Sequence, residues 1–493
     1  MNDKLKAYDL RMALDNIKSW PGELIETDVE VDPVAQLAGV YRYVGAGGTV
    51  KRPTKAGPAM LFNNIKGHSN SKILIGLLSE RNRVAKLLDC DVKELGKKLL
   101  HCVDEPIMPV MREAPPSCQQ VVHYASEPGF DLNQIVPAPT NTPKDAGPYI
   151  TMGMCYATHP DTGASDVTIH RLCIQGRDEL SIFFTPGVRH IGAMAERAEQ
   201  LGIELPISVS IGVDPAIEVA SCFEPPTTPQ GFNELSIAGA LRGQPVELCS
   251  CLTVPEKAIA NAEYVIEGII IPNRRINEDM NTNSGYAMPE FPGYLGEASR
   301  ACRVIKVKAV THRLNPIMQT CIGPSGEHVN MAGICTEASI YGMVEKAIPG
   351  RLKNVYAHPS GGGKYMAILE FCKKVPSDEG RQRQAALLAL SAFTELKHVV
   401  VVDEDVDIFD SDDVLWAMNT RFQANVDTIF IPGTRCHPLD PSSTPEYSGT
   451  ISDRGIACKT IFDCTVPYHM KEKFKRAPFL ELDPSIWVPG MAK

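Results

Sequence analysis

The chain has no CxxC pair. Its 15 cysteines stand singly, and the nearest two are Cys249 and Cys251. That spacing excludes the usual structural zinc signatures and leaves small buried thiols as the reading. No hydrophobic run approaches bilayer length; strings such as Val399 to Val402 are typical. The opening MNDKLKAYDLRMALDNIKSW has no apolar leader core, so a cytoplasmic location is expected. No large basic block occurs, and 49 Lys and Arg against 59 Asp and Glu give a net charge of −10. A nucleic-acid or anionic-membrane partner is therefore not expected, although a local site for a small anion is compatible with that balance. There is no internal repeat and no low-complexity tract. Two glycine-rich stretches lack nucleotide-binding spacing: HPSGGGK (358–364) is not GxxxxGK[ST], and GAGGTVK (45–51) holds no GxGxxG. DEDVDIFDSDD (403–413) has Ile408 where a calcium loop requires glycine, and reads as a strand end and helix cap.

What is present is an ordinary globular composition, 44% hydrophobic and 22% charged over 493 residues, enough for two to four domains. Residues 1–145 mix helix and strand signals, with a short helix at 9–17 and helices within 77–100. Residues 146–330 carry short β-type runs such as YITMGMCYATH, DVTIHRLCIQ and ISVSIGV, as expected for a barrel or sandwich. One helix interrupts them at 189–202, with Ile191, Met194, Ala195, Ala198 and Leu201 in an apolar stripe. Residues 331–465 alternate strand and helix, which predicts an α/β layer. There Ser377 reads as the N-cap of a helix over 377–397, and HVVVVD as a strand covered on both faces. The tail, 466–493, reads as a segment that wraps onto a neighbour.

Several stretches hold groups that a plain core does not need. In SDVTIHRL (165–172), Asp166, Thr168 and His170 share one face of an extended strand and Arg171 the other. GVRHIG places Arg189 and His190 at a helix start, where amide donors attract phosphate. GFNELSIAGAL sets Glu234 in an apolar helix, where a carboxylate needs an ion pair or a metal. If they converge, Asp166, His190 and Glu234 suit Mn²⁺ or Mg²⁺. MPEFPGYLGEASR holds Glu290 between Pro289 and Pro292, next to Phe291, as a candidate proton donor. Glu297 is a weaker candidate. IGPSGEHVNMAG reads as a loop presenting Glu327 and His328, the latter suited to binding a phenolic oxygen or relaying a proton. An ordinary ion pair, a solvated arginine and a surface-loop glutamate or turn histidine remain open for these residues taken singly.

Together these stretches, with APTNTPKDAGPYIT, FEPPTTPQGFNELSIAGALRG, VPEKAIANAEYVIEG and IKVKAVTHR, resemble the UbiD-like decarboxylases over nearly the whole chain. GFNELSIAGA, MPEFPGY and HPLDP (437–441) resemble the branch acting on protocatechuate (3,4-dihydroxybenzoate) and gallate. The resemblance implies an α+β and α/β multidomain fold, with a split β-barrel flavin-binding domain (146–330) and an α/β oligomerisation domain (331–465). It implies reversible, non-oxidative decarboxylation of a hydroxybenzoic acid with prenylated FMN as electron sink. Asp166, His190 and Glu234 would hold Mn²⁺ or Mg²⁺ against the cofactor phosphate, often with K⁺. Thr168, Ile169, His170, Arg171 and Arg189 would line the cofactor. Glu290 would protonate the product carbon, Arg171 would lie near the substrate carboxylate, and His328 or Glu297 would be the third catalytic group. A flavin prenyltransferase would supply the cofactor, and a homodimer or homohexamer is implied. Two rivals are a flavin-free metal-dependent hydrolase or lyase and a flavin-binding assembly protein.

Overall fold

The computed structural model describes residues 6–50, 56–184, 190–488 and 490. Its largest sheet has nine strands, all paired antiparallel. The path begins at Tyr149–Ile150, Leu172–Ile174 and Glu179–Ile182 and continues through Cys302–His312 and Tyr264–Ile276. It ends with Leu205–Ile211, Gly153–Thr158 and Ser165–Ile169, while Val121–Tyr124 pairs beside Cys302–His312. Two strands consecutive in sequence, Ser165–Ile169 and Leu172–Ile174, thus lie near opposite ends of the path. In a flat sheet, six inter-strand steps of about 4.8 Å would part them by roughly 29 Å. Three Cα steps span about 11 Å at most. The sheet must therefore curl until its ends meet, and His170 and Arg171 sit at that seam. The expected split barrel is this curled half-barrel.

The core alternates as a pleated sheet requires. Ile207, Val209 and Ile211 face one hydrophobic cluster with Ile191, Met194, Ala195 and Ala198 of the helix His190–Leu201. That helix ends at Leu201, before Gly202, and Leu201, expected in the apolar stripe, is exposed. A smaller four-stranded sheet, Leu24–Thr27, Ala59–Phe62, Lys72–Ile75 and Ile317–Thr320, borrows its last strand from far along the chain. The C-terminal layer has five strands in the order Leu352–Ala357, Met366–Phe371, His398–Asp403, Ile456–Cys464, Thr428–Arg435. In HVVVVD, Val399 and Val401 join one core cluster while Val400 and Val402 join another, so the strand is covered on both faces.

Two local expectations are corrected. The helix expected from Ser377 begins at Arg381, with Gly380 at its N-cap. Residues Pro376–Asp378 form a separate turn, because Asp378 accepts from the amides of Lys374 (2.9 Å) and Val375 (3.1 Å) and from Arg351 Nε (2.7 Å). Glu327 and His328 lie not on a loop but in the first turn of the long helix Gly326–Ala347, whose N-cap Ser325 accepts the His328 amide at 3.2 Å. No helix among the described residues is long and apolar enough to cross a membrane. In the tail, Phe479, Leu480, Ile486 and Trp487 are exposed on the single chain.

Candidate active site

Three separate elements bring Asp166, His190 and Glu234 together. Asp166 lies on the strand Ser165–Ile169, opposite Ala157, with its side chain buried. His190 and Glu234 are each the first residue of a helix, His190–Leu201 and Glu234–Arg242. Asn233 caps the second helix by accepting the Leu235 amide at 3.0 Å, which fixes where Glu234 starts. His190 Nδ1 and Asp166 Oδ1 are 3.1 Å apart, and one ligand atom from each of the three residues lies within 4.8 Å of the others. Asp166 Oδ2, His190 Nε2 and Glu234 Oε2 are buried with no hydrogen-bond partner among the described residues. Buried polar atoms are rarely left so. Burial, and then the neighbouring Asp166 charge, push the Glu234 carboxyl well above the ordinary range. Two carboxylates and an imidazole around one point fit a divalent cation.

About 10 Å further along the same strand, at 3.3 Å per residue, Ile169 enters the wall of a cavity of about 150 Å³. Glu290, Phe291, His328, Glu224 and Lys364 also line it. A dry cavity of about that volume takes one six-membered ring. Glu290 sits where the hairpin of Tyr286–Pro289 and Leu295–Glu297 turns, and its amide donates to the Tyr294 carbonyl at 2.9 Å. Arg171, at the barrel seam, reaches Glu290 with Nη1 and donates from Nη2 to Glu278 Oε2 at 2.8 Å. The guanidinium also lies 4.4 Å from the centroid of the Phe183 ring. One guanidinium thus serves two acids, the buried Glu278 and the partly buried Glu290. Glu278 has further donors in Tyr149 Oη (3.1 Å) and the Ser299 amide (2.9 Å). Burial raises the Glu290 carboxyl above its ordinary value against the opposing pull of Arg171.

Gly296 lies directly behind that carboxyl: a Cβ there would stand 2.8 Å from Glu290 Cγ and 3.0 Å from Oε1. Gly296→Ala is therefore expected to lower turnover about 10- to 100-fold, the usual consequence of displacing a reacting group by an ångström or so. Melting should change little. Steady-state rates beside a melting curve check this, and an unchanged rate would free Gly296 of the role.

The remaining sequence candidates fall in different places. His328 stacks on Phe291, centroids 4.9 Å apart and 3° from parallel, and lines the cavity. Thr168 and His170 are buried; His170 meets the Phe184 ring edge-on at 4.7 Å. Glu327 turns away to the N-terminal sheet, accepting from the amides of Gly76 (3.0 Å) and Leu78 (3.1 Å); burial lifts its carboxyl to about 7. Glu297 is exposed, bonded to Arg454 Nη1 at 2.6 Å, and does not line the cavity. In this hairpin Gly296 faces Glu290, so the next residue, Glu297, points outward. Arg189 lies outside the described residues. The sequence reading missed Glu278 and gave no role to Lys364 or His437. Lys364 ends the stretch set aside as not a phosphate loop; its Nζ lies 2.6 Å from Glu395 Oε2. His437, of HPLDP, approaches the same Glu395 at 3.4 Å and meets Phe291 edge-on at 5.0 Å.

Residues 19–103, 110–326 and 329–464 match the N-terminal, Rift-related and C-terminal domains of 3-octaprenyl-4-hydroxybenzoate carboxy-lyase, UbiD. The chain is 55% identical over 477 residues to gallate decarboxylase of Lactiplantibacillus plantarum, covering 96% of this chain and 97% of that one. It superposes on the apo structure of 3,4-dihydroxybenzoic acid decarboxylase from Enterobacter cloacae with a TM-score of 0.92 at 55% identity, covering 98% and 99%. The UbiD-class enzyme HmfF from Pelotomaculum thermopropionicum, solved with FMN, matches at 34% identity with a TM-score of 0.83, covering 96% and 97%.

Proposed function

Because the chain belongs to the UbiD family of carboxy-lyases, we propose that it releases CO₂ from a hydroxylated benzoic acid, 3,4-dihydroxybenzoate or gallate, with prenylated FMN bound. The observation that carries this reading is Glu290, a largely enclosed acid whose carboxyl burial pushes above its ordinary value, on the wall of a cavity sized for one ring.

When bound, the flavin supplies an electron sink that no side chain provides. Asp166, His190 and Glu234 would hold Mn²⁺ or Mg²⁺ beside it, with K⁺ as a second cation. The chain's own residues do the rest. The stacked Phe291 and His328 brace each other as one rigid aromatic wall of the cavity that positions an aromatic ring and excludes water. His328 is assigned to the phenolic oxygens, and the buried ammonium of Lys364 is held at the same wall by Glu395 (2.6 Å) and Glu224 (3.5 Å). Arg171, fixed between Glu278 and Glu290, aims the Glu290 carboxyl. Glu290 then gives its proton to the ring carbon that has lost CO₂. The exposed apolar tail, Phe479 to Trp487, supports a homodimer or homohexamer, and the location is assigned to the cytoplasm.

The test is protein coexpressed with a flavin prenyltransferase, given a panel of hydroxybenzoates. CO₂ and catechol or pyrogallol are expected only from flavin-loaded protein. Bound flavin without CO₂ from any member would overturn the reading.

A further inference from the structure

Phe291 belongs to two cavities at once. Its ring, 7% exposed, lines the active-site cavity and also a separate hollow of about 310 Å³ on its other side. We propose that Phe291 is a specificity-determining partition, closing the substrate cavity off from that hollow and so restricting the acid to small ring substituents. This rests on the hydroxybenzoate decarboxylase reading above.

The partition is built rather than incidental. Three rings brace Phe291: His328 face to face, His437 edge-on, and Tyr365 tilted by 60° at 5.0 Å. From behind, Gly362 presses on it. That residue has φ +65°, and a Cβ there would lie 2.4 Å from Phe291 Cδ2. Both its backbone and its contact with the ring therefore require glycine. The middle glycine of HPSGGGK, a stretch without phosphate-loop spacing, has this use.

The hollow beyond is shaped for an uncharged group. Val329, Pro324, Tyr356 and Ser360 line it. The two charged groups on its wall are engaged: Arg81 donates to both Glu337 carboxylate oxygens, at 2.9 and 2.8 Å, and lies over the Tyr356 ring at 5.3 Å, while Glu80 accepts from the Arg83 amide at 2.6 Å and from Asn82 Nδ2 at 2.8 Å. With the Phe291 ring removed, the two spaces join. The occupant is then a hydroxybenzoate carrying an alkoxy or aryl-alkoxy substituent, its extra group against Tyr356 and Val329.

The experiment compares kcat/KM of flavin-loaded enzyme for 3,4-dihydroxybenzoate and for 3-benzyloxy-4-hydroxybenzoate. In Phe291→Ala the ratio should move towards the bulky acid by about 10-fold or more, the scale on which pocket walls discriminate. The product 2-benzyloxyphenol should bind that variant about 10-fold more tightly than wild type by calorimetry, a change that general loosening would not cause. Phe291→Leu keeps apolar bulk and should move the ratio part of the way; it carries the test if the alanine variant does not fold. A folded, flavin-loaded variant whose ratio and phenol affinity match wild type would overturn the partition. Wild type that releases CO₂ from no hydroxybenzoate would instead overturn the decarboxylase reading on which it stands.

Discussion

Glu290→Gln should fold, bind cofactor, and lose about 10²- to 10⁴-fold in decarboxylation, the range a positioned proton donor supplies. The amide keeps the shape of the carboxyl and can still accept from Arg171, so Glu278 and the hairpin stay in place. What it cannot do is release a proton to carbon. The pH dependence carries the same signature. Burial raises the Glu290 carboxyl, so the donor stays protonated above the ordinary carboxylate range and wild-type activity falls as pH rises through the raised value. A raised pKa also means that folding binds a proton here. The stability this contributes is fully present below the ordinary value and is lost as pH rises through the folded one. Glu290→Gln should therefore melt no lower than wild type at about pH 8. Rates measured across a pH series settle the assignment: the residual turnover of the variant should lack the wild-type alkaline limb. Near-normal turnover would remove Glu290 from the role.

Glu234→Ala should lose bound metal and flavin together, by about 100-fold or more in metal affinity, since removing even an outer-shell partner costs 10- to 100-fold. The sign of its stability effect is opposite to the usual expectation for a buried substitution. Without a cation, wild type confines two carboxylates and leaves three polar atoms unbonded. The Glu234 carboxyl is raised well above its ordinary range by burial and by Asp166. Its stabilising proton is lost as pH rises through that raised value, so the metal-free wild type should weaken with rising pH and the variant should not. Metal analysis, the absorbance of bound flavin and melting curves at two pH values read all three. Full flavin occupancy in the variant would refute the idea that a cation held here tethers the flavin.

Much of this site was legible because its residues break local rules. Asp166, His190 and Glu234 each put charge-bearing chemistry where a strand or apolar helix has no use for it, and the structure brings all three to one point. HVVVVD was legible for the opposite reason: an unbroken apolar run suits a sheet covered on both faces. Glu278 was not legible, because RRINED reads as an ordinary charged strand end; only the long-range approach of Arg171 gives it meaning. Glu297 misled because a hairpin's inward and outward positions depend on a register that residue spacing does not disclose. Glycine and proline around Glu327 and His328 suggested a loop, yet Ser325 caps a helix there. The closing of the large sheet was hidden too, since it depends on which strands pair rather than on what each contains.

The crossing at His170 and Arg171 also determines where this chain tolerates being reopened. Asp161, Thr162 and Gly163 form an exposed bend between two strands that are already neighbours in the sheet. New termini placed there by circular permutation would cut a hairpin but leave the barrel's two ends tethered. New termini at 170 and 171 would sever that tether, and with it the link between the strand bearing Asp166 and the arginine that aims the proton donor. The chain's most useful joint is thus its least divisible one.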